Sequence, residues 1–317
     1  MSIVNAIVHI NTKCQSKCIT CDWWKKSEHN NLSVNDIEYL CNEFKKIGID
    51  QIMLSGGEPL LHPQIYEIVK VIKQNNIFIM LNTNGIPINK TQEELFAMTD
   101  LLVVSMDATN PDTYMKIRGV NAFNHVIENV KEVIKRNLCT VSLRCTIQKH
   151  NLMEVLKIDE LGNELGIGVG FNPVDGTTSN FGRESKSVAD IELIPNSHEI
   201  KEFREMINKS EHLSKYGNIQ NNNTPWNKEK FNLLSNYFES MWCEKPMDMG
   251  IEPCIIPYSG IVIEANGDVK SCFYHTVGNI HSGFDFEAYS YKDSIKELTE
   301  QMKKERKCAC CRCKIFC

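Results

Sequence analysis

Short apolar runs alternate with helical patterns through the first half of this 317-residue chain. The apolar runs occupy residues 3–10, 51–54, 78–81, 101–105, 140–147 and 168–171. Between them, apolar residues recur with the helical period over 34–47, 66–73, 92–98, 123–136 and 152–165. Runs of this kind are strands buried on both faces, and such strands are parallel ones joined by helical crossovers. The fold class is therefore α/β, built from successive βαβ units.

Chemistry enters directly after the first run, in Cys14-Gln15-Ser16-Lys17-Cys18-Ile19-Thr20-Cys21. Cysteine thiolates are the usual ligands of iron–sulfur clusters, and a [4Fe–4S] cube takes four. This loop offers three, which leaves one iron open, and an open position distinguishes catalytic metal sites from structural ones. A zinc knuckle completed by a residue such as His29, or three unconnected thiols, fit the triplet alone. A second signature, Leu54-Ser55-Gly56-Gly57-Glu58-Pro59, closes the second run.

The C-x3-C-x2-C loop after the first strand and the Gly-Gly-Glu-Pro turn after the second together resemble the radical SAM enzymes. The resemblance implies a partial (β/α)6 TIM-type barrel over residues 1–175, with its active site at the C-terminal strand ends. It further implies that Cys14, Cys18 and Cys21 hold a [4Fe–4S] cluster whose open iron binds S-adenosylmethionine. Gly56, Gly57 and Glu58 are then expected to receive the methionyl amine, since glycine permits close backbone approach and a carboxylate suits an ammonium.

Other strand ends extend the expected cofactor site. Asn84 lies in an Asn-Gly turn, a structural element with peripheral cofactor contact. Ser105 and Asp107 close the fourth run, where the resemblance places the ribose and carboxylate of SAM; a helix cap or turn is the rival for Asp107. Arg144 interrupts the fifth run and needs an anion, either the SAM carboxylate or an internal Asp or Glu. Phe171 could lie against adenine or belong to the core. Arg118-Gly119, after Tyr114, reads as a loop anchor. One departure from the family concerns Thr20, where relatives carry an aromatic residue near adenine; here only its backbone could bond the base, and Trp23 and Trp24 follow the third cysteine.

Residues 176–250 change character, with a Gly-, Ser- and Asn-rich loop and two helical segments at 197–209 and 228–242. They read as a connector. From 251 to 317, Ile261–Glu264 and Asp268–Cys272 flank Asn266-Gly267 as a hairpin, followed by a turn at 278–280 and a helix near 294–303. With Cys254, Gly267, Cys272, Cys308, Cys311 and Cys317, this part resembles the small cysteine-rich SPASM/twitch domain. The resemblance implies at least one auxiliary [4Fe–4S] cluster on Cys254, Cys272, Cys308 and Cys311, with Cys317 continuing the motif. Cys310 and Cys313 form a competing pair, Cys243 is a possible extra ligand, and a zinc ribbon fits the same spacing.

Totals bound the setting. Fourteen cysteines without an export signal indicate metal rather than disulfides. No apolar run reaches the roughly 18 residues of a membrane span, and a net charge of −5 with mixed signs argues against nucleic acid. A cytoplasmic, oxygen-sensitive enzyme is expected, with a flavodoxin- or ferredoxin-like one-electron donor as partner. The resemblance implies reductive cleavage of SAM to a 5′-deoxyadenosyl radical that takes hydrogen from substrate. A small sugar-like or nucleotide-linked molecule, oxidised or epimerised, is the favoured substrate, since few residues precede the first strand to recognise a peptide. A ribosomally made peptide is the alternative, and a non-catalytic iron–sulfur or zinc sensor is the rival class. An epimerase needs a hydrogen donor, for which Cys145 or Cys243 are candidates.

Overall fold

The structure, a computed structural model, describes residues 5–25, 27, 29–174, 192–211, 215–216, 225–242, 260–273 and 275–290. Its strands are β1 (Asn5–Asn11), β2 (Gln51–Gly56), β3 (Phe78–Thr83), β4 (Leu101–Ser105), β5 (Thr140–Ile147) and β6 (Val169–Pro173). All pair in parallel with their neighbours, in the order β6-β5-β4-β3-β2-β1. This is the parallel sheet of a partial barrel, as the alternation predicts.

Helices cover its outer face: α1 (Val34–Ile47), α2 (Ile65–Gln74), α3 (Glu93–Met98), α4 (Pro111–Arg118), α5 (Phe123–Arg136) and α6 (Val155–Leu165). Helix α1 starts at a capping box, with Ser33 and Asp36 each bonding the other's backbone amide, and stops where Gly48 turns left-handed. Helix α4 is absent from the sequence reading. It is short, and only Tyr114 and Ile117 are buried, so it leaves little periodicity. Its signals are caps instead: Asn110 accepts from the Thr113 amide, Pro111 opens the first turn, and Gly119 ends it.

Strand alternation divides the side chains into two layers. Outward residues such as Val8, Leu54, Leu81, Val104 and Leu143 pack with the helices in the main core. Inward, Met80, Leu101 and Val103, with Met53 and Phe78, form a separate apolar plug near the N-terminal strand ends. One step further along the strands, the inward positions turn polar, at His9, Ser55, Asn82, Ser105 and Arg144. The barrel interior is thus sealed below and polar above.

Helices α7 (Ser197–Lys209) and α8 (Lys228–Trp242) match the two segments read in the connector. Phe171 meets Trp226 and Phe231 edge-on, with ring centroids 5.1 and 5.5 Å apart. After it come β7 (Gly260–Ile263), β8 (Asp268–Cys272), β9 (His275–Asn279) and a short α9 (Phe286–Ser290). Strands β7 and β8 form the expected hairpin, but residues 275–279 extend the sheet as a strand where a turn at 278–280 was read. More consequentially, β7 pairs in parallel with β1, so among the described residues one sheet of nine strands runs through both regions.

Candidate functional site

The cysteine loop sits at the C-terminal end of β1 and is held from three sides. The Gly57 and Glu58 amides donate to the carbonyls of Asn11 and Lys13 at 2.8 Å, laying the Gly-Gly-Glu-Pro turn along the chain that leads into Cys14. A Cβ on Gly57 would come 2.2 Å from the Lys13 carbonyl oxygen, and one on Gly56 would come 2.3 Å from that of Asn11. These glycines therefore admit the neighbouring backbone, whatever ligand they also meet.

On the second side, Lys17 and Ile19 donate their amides to the Arg118 and Ile117 carbonyls at 3.0 Å. Gly119, at φ +67°, leaves room for the Lys17 carbonyl, 2.4 Å from where a Cβ would stand. The Arg118-Gly119 pair is the loop anchor the sequence suggested. On the third side Asn84, nearly buried, donates to Ser16 Oγ at 3.2 Å and lies 3.7 Å from Cys14 Sγ, while accepting from Gln15. Trp24 Nε1 donates to the Cys18 carbonyl at 3.2 Å, and Thr20 is half-buried within the loop.

Three expected ligand contacts turn toward protein instead. Glu58 is fully buried, and its carboxylate accepts from Thr83 Oγ1 and the Asn84 amide at 2.7 Å and from the Leu60 amide at 3.1 Å. Burial raises its carboxyl to about 7 against these donors. It ties the β2 and β3 ends together. Asp107 pairs with Arg118 at 2.7 Å and accepts from the Thr146 amide at 2.7 Å. Burial works against both charges of that pair and lifts the Asp107 carboxyl; for Arg118, Asp107, Cys18 and Tyr114 together outweigh burial, and it stays protonated. Phe171 is buried among aromatic rings on the outer layer, so it is core and no shelf for adenine.

Cys145 is likewise displaced from its expected role. It lies on the outward face of β5, fully buried, beside Asn151 Nδ2 at 3.6 Å. Strand parity puts it opposite to Arg144, away from any substrate in the barrel, so it is no hydrogen donor there. Burial raises its thiol well above the usual range. Ser105 and Arg144 do face the interior, paired in register across β4 and β5. Arg144 Nε donates to Asn172 Oδ1 at 3.0 Å, and Asp107 feels its charge. Cys243, Cys254, Cys308, Cys310, Cys311, Cys313 and Cys317 lie outside the described residues; Cys272 is described only as the last residue of β8.

The thiols of the loop suit a polynuclear cluster. Burial pushes Cys14 up to about 12 and raises Cys18 too, with each neighbouring thiolate adding to the effect on Cys14. Thiols buried in this way need bound cations to lose their protons. Arg118 Nη1, 3.9 Å from Cys18 Sγ, offers one fixed positive charge. Among the described residues no three Cys, His, Asp or Glu side chains gather tightly enough for a single metal ion.

Sequence reasoning missed one polar group on the same inward face of the sheet. His9 is buried on the inward face of β1, edge-on to Trp23 with centroids 5.0 Å apart. Its Nδ1 lies 2.9 Å from Glu264 Oε2, and Lys270 reaches the other oxygen at 2.7 Å. Burial opposes the Glu264 charge, but these partners outweigh it and bring the carboxyl down to about 2. An ionised carboxylate only accepts, so His9 Nδ1 carries the proton of this bond. The available signal was a lone histidine inside an apolar strand run.

Comparison with known proteins places this geometry. The Radical SAM superfamily model matches residues 8–162. A probable GTP 3′,8-cyclase of Saccharolobus solfataricus is 33% identical over 157 residues, which are 49% of this chain and 51% of the relative. The chain thus spans about half the length of the curated relatives it matches. Streptococcus suis SuiB bound to S-adenosylmethionine superposes with a TM-score of 0.68 at 14% identity, over 100% of this chain and 72% of that one. Native anSMEcpe with bound AdoMet and the Cp18Cys peptide gives 0.66 at 16% identity, over 98% and 87%.

Proposed function

This chain is a member of the radical SAM superfamily through residues 8–162, and from that premise we propose that it cleaves S-adenosylmethionine reductively to act on a nucleotide-linked or sugar-like small molecule. Cys14, Cys18 and Cys21 would hold a [4Fe–4S] cluster, which together with SAM would supply radical chemistry for taking hydrogen from the substrate. The observation that carries this reading is the threefold anchoring of the cysteine loop at the open, polar end of a barrel sealed below by Met80, Leu101 and Val103.

The chain's own residues orient and shield. Glu58 and Asn84 fix the loop on one side, and Arg118, held by Asp107, fixes it on the other. Arg144 presents a positive charge to the cavity for an anionic group, and Ser105 a hydroxyl. Backbone carbonyls of the Gly56-Gly57 turn remain the candidates for the methionyl amine, now that the Glu58 side chain is committed. The C-terminal cysteines would hold one auxiliary [4Fe–4S] cluster, which would supply a one-electron acceptor for an oxidised substrate.

Likeness to a GTP 3′,8-cyclase over half the chain supports a nucleotide-like substrate. The second reading, a peptide substrate, is favoured by a fold match over nearly the whole chain to an enzyme solved with a peptide. Anaerobic reconstitution, reduction and assay for 5′-deoxyadenosine tests the common core; no cleavage by fully loaded protein overturns it. Deuterated nucleotides and peptides, offered in turn, separate the readings by which one passes its label into 5′-deoxyadenosine.

A further inference from the structure

Two buried donors on α4 have no acceptor among the described residues. Arg118 closes that helix, and Tyr114 stands one turn before it. Two contacts align the Arg118 guanidinium: Nη2 lies 2.7 Å from Asp107 Oδ2, and Nη1 lies 3.9 Å from Cys18 Sγ. Its third nitrogen, Nε, is buried without a partner, and so is the Tyr114 hydroxyl. That hydroxyl feels the charges of Arg118, Asp107 and Cys18, so both donors belong to the surroundings of one thiol. A buried donor left unbonded costs about 1–3 kcal/mol, so two of them around one thiol point to an acceptor that binds there. Cys18 is also fixed relative to α4. The amides on either side of it, of Lys17 and Ile19, donate to the carbonyls of Arg118 and Ile117 at 3.0 Å. Cys14, by contrast, faces the neutral Asn84 amide at 3.7 Å.

We infer that Arg118 and Tyr114 are donors to the cluster at its Cys18 corner, and that Arg118 raises its reduction potential while the paired Asp107 restrains the rise. The inference rests on the radical SAM reading, because only a redox centre on Cys18 gives these donors an acceptor whose charge changes. Reduction adds one negative charge to the cluster. A buried cation, or a hydrogen bond to a sulfur, favours the more negative state and so makes the cluster easier to reduce. A carboxylate in the same place has the opposite effect. Both charges are buried, where salt and water screen them little, so a single guanidinium beside one ligand is enough to move the potential.

The test is a potentiometric titration of the anaerobically reconstituted full chain, followed by electron paramagnetic resonance, with iron content measured beside it. Arg118→Gln removes the charge and should lower the midpoint by about 59 mV, a tenfold change in the ratio of reduced to oxidised cluster. Asp107→Asn leaves Arg118 without its counter-charge and should raise the midpoint by a similar amount. Tyr114→Phe, which removes only a hydroxyl, should lower it with iron content unchanged. Should Arg118→Gln hold no iron, opposite shifts in the other two variants support the inference, and like or absent shifts overturn it. Midpoints equal to the parent's in all iron-loaded variants overturn the inference and leave the radical SAM reading intact. So do shifts of one sign in Arg118→Gln and Asp107→Asn, which report solvent entry rather than charge. A parent chain that takes up iron and sulfide but shows no reducible [4Fe–4S] signal overturns the radical SAM reading, and this inference with it.

Discussion

At the scale of single residues, the site is defined by which polar side chains are already committed to protein. Glu58 belongs to a conspicuous motif, yet every acceptor contact it makes is to its own chain. Replacing it with glutamine sets an NH2 against the donors of Leu60, Thr83 or Asn84. Glu58→Gln should therefore cost about 1–3 kcal/mol of stability, read as a lower denaturant midpoint, and should lower iron retention after reconstitution. Phe171 makes the opposite case. Truncation to alanine empties a site walled by Trp226 and Phe231, so it should cost about 3–5 kcal/mol. If the ring is core, SAM affinity measured by calorimetry on the folded variant stays unchanged; a weakened affinity at full stability would restore the adenine contact. Both residues show a limit of sequence reading. The motif announced that Glu58 matters, but a pattern of letters cannot say whether a carboxylate faces ligand or backbone. Cys145 and Arg144 are adjacent letters with opposite destinations, and only strand parity within the assembled sheet tells them apart.

Among elements, the β1–β7 seam brings the chain's beginning to its later part and carries its own electrostatic lock. Strands β1 to β6 were legible because each is an apolar run between helices whose period differs from its own. The hairpin of β7 and β8 was legible from Asn266-Gly267, where Gly267 takes φ +87°. That β7 would then lie parallel to β1 was not, since a pairing across such sequence distance leaves no local periodicity. The lock is Glu264, accepting from His9 on β1 and Lys270 on β8. Its carboxyl is about 2 in the folded chain and about 4.3 when unfolded. A depressed acid contributes stability that is complete above the unfolded value and is lost as pH falls toward the folded one. Glu264→Gln should therefore be less stable by about 3 kcal/mol at pH 6. The gap should close between about pH 4.5 and about pH 2, seen by urea titration at several pH values. A gap that stays constant down to pH 2.5 would show that the charge of Glu264 is not what the seam uses.

For the whole molecule, the same seam decides whether the barrel is a unit that folds alone. Reading the sequence suggests a barrel that ends at 175, followed by a connector and a separate cysteine-rich part. In the assembled sheet, β1 is flanked by β2 on one side and β7 on the other. Its pairing with β7 runs from Asn5–Gly260 through Val8–Ile263. Removing residues 243–317 would strip that side and leave β1, whose outward face is the apolar Ala6, Val8 and Ile10, as an open edge. An exposed apolar edge strand is a template for pairing with other chains. It would also leave His9 buried without the carboxylate that accepts from it, while the α7–α8 layer over Phe171 would remain. The truncated chain should therefore express largely as aggregate. Any soluble fraction should run above monomer size on a sizing column and melt well below the full chain. If it instead stays monomeric, with an unchanged melting temperature and full uptake of iron at Cys14, Cys18 and Cys21, β7 contributes nothing to the barrel, and the cluster loop is stabilised entirely by Gly57, Asn84 and Arg118.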